Sequence, residues 1–190
     1  MENKILNFIL FGRSGSGKGT QAELIAQKFP NTLRLSSGDM MRDLAGQNSD
    51  AGKRIKETIE SGGLPFAKMA STLWMHKIAY ELKEDEGLIC DGFPRRIEEA
   101  ADLYEFLKWL KRIDNTKVFL INISREEGLK RLVGRGRVDD HEKAINERLD
   151  WFDEFVVPAI IFFKEKGLLI EINGEQSIEK IHEDIMDKLS

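Results

Sequence analysis

The chain has little cysteine and no long apolar run. Its 190 residues include one cysteine, Cys90, and a single thiol can form neither an intrachain disulfide nor a zinc cage of several cysteines. No apolar stretch approaches the roughly 20 residues that cross a bilayer, and the first residues show no small-residue cleavage pattern. We therefore expect a cytoplasmic protein without zinc and without a membrane partner.

An excess of positive charge is also missing. The 29 Lys and Arg residues are outnumbered by 33 Asp and Glu, for a net charge of -4, which argues against a broadly basic surface that binds nucleic acid. With 41% hydrophobic and 33% charged residues, the balance is that of a folded globular protein, and the length fits one domain. We expect residues 1–190 to form that single domain and any cationic site in it to be local.

Apolar runs of strand length alternate with segments that have apolar residues at helical spacing. The runs are Ile5–Phe11, Thr32–Leu35, Leu88–Cys90, Val118–Ile123 and Leu168–Ile172. Strands that are apolar throughout and separated by helices favour a parallel sheet covered on both faces. The pattern predicts an α/β fold, a three-layer sandwich around a five-stranded parallel sheet, whose ligands bind beyond the carboxyl ends of the strands.

The first predicted strand runs directly into a glycine-rich loop. Gly12 to Thr20 read Gly-Arg-Ser-Gly-Ser-Gly-Lys-Gly-Thr, and a helical pattern follows. Glycines let backbone amides approach phosphate oxygens, the helix N-terminus adds a favourable dipole, and Lys18 supplies a mobile cation. A dinucleotide-binding fingerprint fits less well, because Thr20 stands where its third glycine belongs. A simple flexible turn is the other alternative, and it does not explain the strand–loop–helix order. We predict a phosphate-binding P-loop.

Further motifs follow the P-loop in a fixed order. Leu35-Ser-Ser-Gly-Asp-Met-Met-Arg42 comes first, then Asp91-Gly-Phe-Pro-Arg95, then an arginine-bearing stretch from Arg131 to Leu149. Over nearly the whole chain, these segments and Gly17-Lys-Gly-Thr20 resemble the short-lid adenylate kinases. The resemblance implies a monomeric P-loop phosphotransferase that moves the γ-phosphate of Mg·ATP to AMP, so that ATP and AMP give two ADP.

The resemblance also places two inserts on the P-loop domain. Residues 37–65 would form a monophosphate-binding insert, and residues 134–140 a lid. The lid is unusually abbreviated, because only Gly136, Arg137 and Val138 separate Arg135 from Asp139. It keeps its arginines but offers little cover.

Roles for individual residues come from the same resemblance. Those implied to act in catalysis are Lys18, Arg95, Arg137 and Arg148. Those implied to bind ATP are Gly15, Ser16, Gly17, Lys18, Gly19, Thr20, Arg135 and Gln176. Those implied to bind AMP are Ser37, Gly38, Arg42, Leu64, Gly92, Arg95, Glu99, Arg137 and Arg148. Asp91 would hold the cofactor Mg²⁺ through water molecules.

The chemistry of phosphoryl transfer explains why such a site is rich in arginine. The acceptor phosphate is already an oxyanion, so catalysis consists of aligning two polyanions and neutralising the charge on the transferring group. A guanidinium stays ionised and binds phosphate oxygens in pairs, whereas a lysine is a point charge. The arginine set also argues against the alternative of a non-catalytic nucleotide-binding P-loop protein, which needs only the loop around Lys18.

Two positions depart from the family pattern. Glu99 replaces a glutamine whose amide would both accept from the adenine amino group and donate to the adjacent ring nitrogen, while a carboxylate can only accept. A carboxylate suits the two neighbouring donors of guanine or the amino group of cytosine. Ser37 keeps the hydroxyl usual in AMP-specific members, so AMP is favoured while CMP, UMP and GMP stay open. Gln176 stands where relatives commonly place a glycine near the donor adenine. If the alignment with the family were shifted by one or two residues, Gly174 would take that place.

Overall fold

The computed structural model describes residues 5–61, 63, 65–135 and 142–189. Within these residues, one parallel sheet is built from five strands: β1 (Asn7–Phe11), β2 (Thr32–Ser36), β3 (Gly87–Asp91), β4 (Thr116–Asn122) and β5 (Leu169–Asn173). The predicted strands and the α/β class are confirmed, with strand ends that differ from the apolar runs by about one or two residues.

Helices connect the strands and cover both faces of the sheet. They are α1 (Lys18–Lys28), α2 (Ser37–Ala45), α3 (Asp50–Glu60), α4 (Ala67–Glu81), α5 (Ile97–Trp109), α6 (Arg125–Arg135), α7 (Glu142–Trp151), α8 (Val157–Glu165) and α9 (Ile178–Asp187). A π-helical turn at Phe152–Val156 joins α7 to α8. Among the described residues, no helix has both the length and the apolar character needed to cross a membrane.

The strand order is β2-β3-β1-β4-β5. Strand β1 pairs with β3 on one side and with β4 on the other, so the chain crosses in opposite directions to either side of β1. In a doubly wound sheet, a crevice opens beyond the carboxyl end of the strand where this reversal occurs. The P-loop follows β1 and therefore lies at that crevice.

Each face of the sheet has its own core. On one face, α1 and α9 cover Phe8, Leu10 and Ile89. On the other face, α4, α5 and α8 cover Ile9, Phe11, Leu88 and Cys90, among other residues. Burial of apolar side chains on both faces, at roughly 25 cal/mol per Å², is the main term that stabilises the three layers.

The segment predicted as an insert begins with two capped helices. Ser36 caps α2, since its Oγ accepts from the Asp39 amide at 3.3 Å, and Ser49 caps α3, since its Oγ accepts from the Gly52 amide at 3.0 Å. Such hydroxyl caps pair backbone donors that the first helical turn leaves open. Of the proposed lid, only Gly134 and the backbone of Arg135 fall within the described residues.

Candidate active site

The P-loop has the backbone geometry of a phosphate cradle. Gly15 and Gly17 have φ angles of 87° and 89°, which side chains with a Cβ atom rarely adopt. Helix α1 begins at Lys18, with Gly17 at its N-cap. Glycine has no side chain with which to cap the first turn, so the helix presents its N-terminal amides and the positive end of its dipole to a ligand.

Lys18 folds back over the loop. Its Nζ atom donates to the carbonyl oxygens of Gly12 at 2.7 Å and Arg13 at 2.9 Å. Ser16 is fully buried, and its amide donates to the Arg13 carbonyl at 3.0 Å. The ammonium group is therefore held by carbonyl oxygens of the loop itself.

One cleft joins the P-loop to the start of α2 and to the segment after β3. On the P-loop side it is lined by Gly15, Gly17, Lys18, Gly19 and Thr20. Facing them are Ser37, Gly38, Arg42, Asp91, Gly92, Arg95 and Arg148. The fold thus brings together residues that the sequence spreads over more than 130 positions.

Gly92 organises the far side of this cleft. Its carbonyl oxygen accepts from Ser37 Oγ at 2.6 Å and from Arg95 Nε at 2.7 Å. Its φ angle is 74°, and a Cβ atom at this position would stand 3.0 Å from Ser37 Oγ. The geometry requires glycine here, and it fixes the hydroxyl and the guanidinium side by side. We call Ser37, Gly92 and Arg95 the acceptor cluster.

Arg95 is oriented before any ligand binds. Besides its bond to Gly92, its guanidinium carbon lies 5.3 Å from the centre of the Trp151 ring, within the range of a cation–π contact. Burial lowers the pKa of Arg95, while the carboxylates of Glu99 and Asp91 act in the opposite direction. An arginine keeps its charge at neutral pH, so Arg95 is a fixed cation.

Glu99 lies in a smaller pocket that adjoins the cleft. The pocket is lined by Ser37, Met41, Pro65, Phe66, Ala70, Gly92, Phe93, Arg95, Arg96 and Glu99. Glu99 is 4% exposed, and its Oε2 accepts from the Arg95 amide at 3.0 Å. Burial raises the pKa of Glu99, although that hydrogen bond and the charges of Arg95 and Arg96 oppose the rise. The prediction that Glu99 faces a base stays open.

The oxygen atoms near Gly19 fit a hard cation. Asp91 ends β3 and is 8% exposed, its Oδ2 lies next to Gly19, and Thr20 is exposed at the start of α1. Among the described residues, no group of three or more His, Cys, Asp or Glu side chains could cage a metal. One carboxylate and one hydroxyl suit Mg²⁺, which keeps several water ligands and takes others from substrate phosphates.

Comparisons with known proteins agree with this geometry. A sequence model of the family described as adenylate kinase matches residues 10–168. An adenylate kinase of Nautilia profundicola is 35% identical over 177 residues, which cover 92% of this chain and 91% of that protein. An adenylate kinase of Leptospira biflexa is 35% identical over 186 residues, with 95% and 98% covered.

The chain belongs to the adenylate kinase family. It is therefore related to enzymes, as the resemblance of its motifs predicted. A third relative, an adenylate kinase of Prochlorococcus marinus, is 32% identical over 184 residues and covers 97% of this chain. The family match spans the P-loop, the acceptor cluster and the proposed lid.

Not every predicted site residue lies in the cleft or is fully described. Gln176 donates through Nε2 to Asp184 on α9 at 2.6 Å, and it is not among the described residues that line the cleft. Only the backbone of Arg135, at the end of α6, is described. Leu64 and Arg137 lie outside the described residues. Their roles stay predictions.

The sequence reasoning gave no site role to several residues that line the cleft, and two of these contact predicted site residues. Arg34 on β2 and Trp151 at the end of α7 both line the cleft, and neither belongs to a motif that the resemblance brought forward. The signal for Arg34 was a charged residue inside a short apolar strand next to the Ser-Gly-Asp segment. Trp151 gave no local signal, because its contact with Arg95 depends on how α7 packs.

Proposed function

We propose that this protein transfers the γ-phosphate of Mg·ATP directly to AMP and releases two ADP. The observation that carries the proposal is a single cleft with a phosphate cradle on one side and arginines on the other. A nucleotide-binding protein without activity has no need for that second side. In-line transfer requires both sides, because two polyanions must meet.

The residues divide the work by position. The P-loop amides and Lys18 would bind the donor phosphates, while Arg42 and the acceptor cluster would hold the acceptor phosphate. Arg148, on α7, lines the same cleft. Guanidinium groups that are fixed before the reaction stabilise charge on the transferring group without the cost of reorganising water.

The metal site follows from the same arrangement. Asp91 and Thr20 would hold Mg²⁺ through water or directly, and the metal, when bound, neutralises charge on the β- and γ-phosphates. The acceptor needs no general base, because a phosphate monoester is already ionised near neutral pH. Arg42 Nη2 lies 2.5 Å from Oδ1 of Asp39 on the same helix, and this contact would orient Arg42 toward the acceptor phosphate.

AMP is the proposed acceptor because the curated relatives are adenylate kinases. The small pocket beside the acceptor cluster is lined in part by the apolar side chains of Met41, Phe66 and Phe93. The Ser37 hydroxyl is present at its edge. Glu99 is the residue that decides between bases, and CMP, UMP and GMP are the competing acceptors.

The activity as proposed uses groups from one chain. We therefore expect a monomer to be active, which light scattering during gel filtration under assay conditions would check. A cytoplasmic location is part of the proposal, and cell fractionation tests it.

The first test is the initial rate of diphosphate formation from Mg·ATP with AMP, CMP, UMP and GMP offered separately. Lys18→Ala should lower the rate with AMP by at least about a hundredfold, since the loop loses its mobile cation. Lys28→Ala removes an exposed lysine from the last turn of the same helix and should leave the rate unchanged.

The outcomes separate the alternatives. A preference for AMP supports the proposal in full. A preference for another base keeps the phosphotransfer and changes the acceptor. ATP binding without transfer to any of the four acceptors would instead establish the non-catalytic nucleotide-binding protein.

A further inference from the structure

Arg34 lies beside the proposed metal carboxylate. Its Nη2 atom is 3.3 Å from Asp91 Oδ2 and 3.3 Å from the carbonyl oxygen of Gly19. The Arg34 side chain is 33% exposed and that of Asp91 is 11% exposed. Both residues line the main cleft. The ion pair is therefore part of the wall that donor phosphates and a metal would meet.

The sheet fixes this contact. Arg34 on β2 is in register with Ile89 on β3, and Ile89 is two residues before Asp91. Side chains alternate between faces along a strand, so Arg34 and Asp91 lie on the same face. That face is covered by α1, since Ile89 packs in one cluster with Ala22 and Ile25.

Position 19 borders the pair, and a side chain there would touch both partners. A Cβ atom on Gly19 would stand 3.5 Å from Asp91 Oδ2 and 3.9 Å from Arg34 Nη2. Gly19 directly follows the P-loop lysine, where P-loops usually carry a hydroxyl side chain. Here the guanidinium, and not a hydroxyl of that residue, lies beside the carboxylate.

The charges have opposite consequences with and without metal. A bare carboxylate in the wall of a phosphate site repels the triphosphate, and a paired one does not. When Mg²⁺ is present, two cations compete for Asp91. Arg34 therefore strengthens the binding of metal-free nucleotide and reduces the extra affinity that Mg²⁺ gives.

We propose that Arg34 is the resident counter-cation of Asp91: it neutralises this carboxylate until the metal-bound nucleotide arrives, and so reduces the dependence of nucleotide binding on Mg²⁺. The proposal rests on the proposed function, because it takes ATP as the ligand of the P-loop. Arg34 is a positioning residue in this account, since it acts through Asp91.

The test measures binding and not turnover. Isothermal titration calorimetry with a non-hydrolysable β,γ-imido analogue of ATP gives the Kd with excess EDTA and the Kd with Mg²⁺. The Kd with EDTA divided by the Kd with Mg²⁺ measures the coupling between metal and nucleotide. In Arg34→Gln we expect this ratio to rise about two- to fivefold over the wild type, the size that a partly exposed ion pair supports.

Two further variants make the result specific. Arg34→Lys keeps the positive charge and should keep the wild-type ratio. Arg54→Gln removes an exposed arginine that pairs with Glu57 on α3, away from the cleft lining, and should leave the ratio unchanged. Thermal unfolding of each variant checks that the fold is intact.

The proposal is overturned if Arg34→Gln binds the analogue with an unchanged or smaller ratio. It is also overturned if Arg34→Lys follows Arg34→Gln, since charge would then not be the cause. A wild-type protein that fails to bind the analogue with or without Mg²⁺ would refute the proposed function itself, and this result is distinct from the other two.

Discussion

Replacing Glu99 with glutamine should improve AMP as a substrate. The Glu99 Oε2 atom accepts from the Arg95 amide at 3.0 Å, which leaves the other oxygen for a base. An oxygen can accept from the adenine amino group, but the ring nitrogen beside it also needs a donor, and an ionised carboxylate has none. In Glu99→Gln the two lone pairs of the amide oxygen can accept from both the Arg95 amide and the adenine amino group, and the new NH₂ group supplies the missing donor to the ring nitrogen.

The size of the effect follows from one hydrogen bond. A hydrogen bond formed in a protein contributes about 0.5–1.5 kcal/mol net, so kcat/KM for AMP should rise about twofold to tenfold. For GMP the change should be opposite, because the amide NH₂ would face the donors of guanine. The ratio of kcat/KM for AMP to that for GMP should therefore change more than either value.

The assay is a set of initial rates for wild type and Glu99→Gln with AMP and GMP from about pH 6 to pH 8. Since burial raises the pKa of Glu99, the fraction of protonated carboxyl grows as pH falls, and a protonated carboxyl can donate as an amide does. The AMP preference of the wild type should thus increase toward low pH, while that of Glu99→Gln stays flat. A variant with unchanged preference at every pH would refute the assignment of Glu99 to base recognition.

Three other changes test the cleft and its support. Arg95→Lys should lower kcat about tenfold to a hundredfold, because a lysine cannot keep both the Gly92 contact and paired phosphate contacts; an unchanged kcat would remove Arg95 from the site. Gly92→Ala places a Cβ atom at a φ of 74° and should cost about 1–2 kcal/mol of unfolding free energy, measured in urea, with a higher KM for AMP; equal stability would contradict the strain. Asp153→Asn breaks the Arg13–Asp153 ion pair of 2.6 Å and, because Asp153 is half exposed, should cost only about 0.5–1 kcal/mol at pH 7.

The Asp153 change also has a predicted pH dependence. The hydrogen bond from Arg13 holds the pKa of Asp153 below its ordinary value, although burial opposes this. The stabilisation is therefore present above the unfolded-state pKa of about 3.9 and is lost as pH falls through the lower folded value. Urea unfolding of wild type and Asp153→Asn should differ at pH 7 and converge in acid, and a constant difference would show that the ion pair is not its source.

The P-loop could be predicted from the sequence because the residues that form it are consecutive. Glycines, a lysine and a helix start within nine consecutive residues dictate the cradle, whatever the rest of the fold does. The strands were readable for the same reason, since an apolar run in a parallel sheet is buried on both faces along its whole length. The order of Ser37, Asp91 and Arg95 in motifs predicted a second half of the site without giving its shape.

Only the tertiary structure decided which of these residues meet. The Gly92 carbonyl joins Ser37 to Arg95 across 58 positions of sequence because β2 and β3 are neighbours in the sheet. The contact of Arg95 with Trp151 depends on the packing of α7, and the Arg34–Asp91 pair depends on strand register. A sequence specifies which side chains a segment offers, but a contact between distant segments exists only once strand pairing and helix packing have fixed their separation.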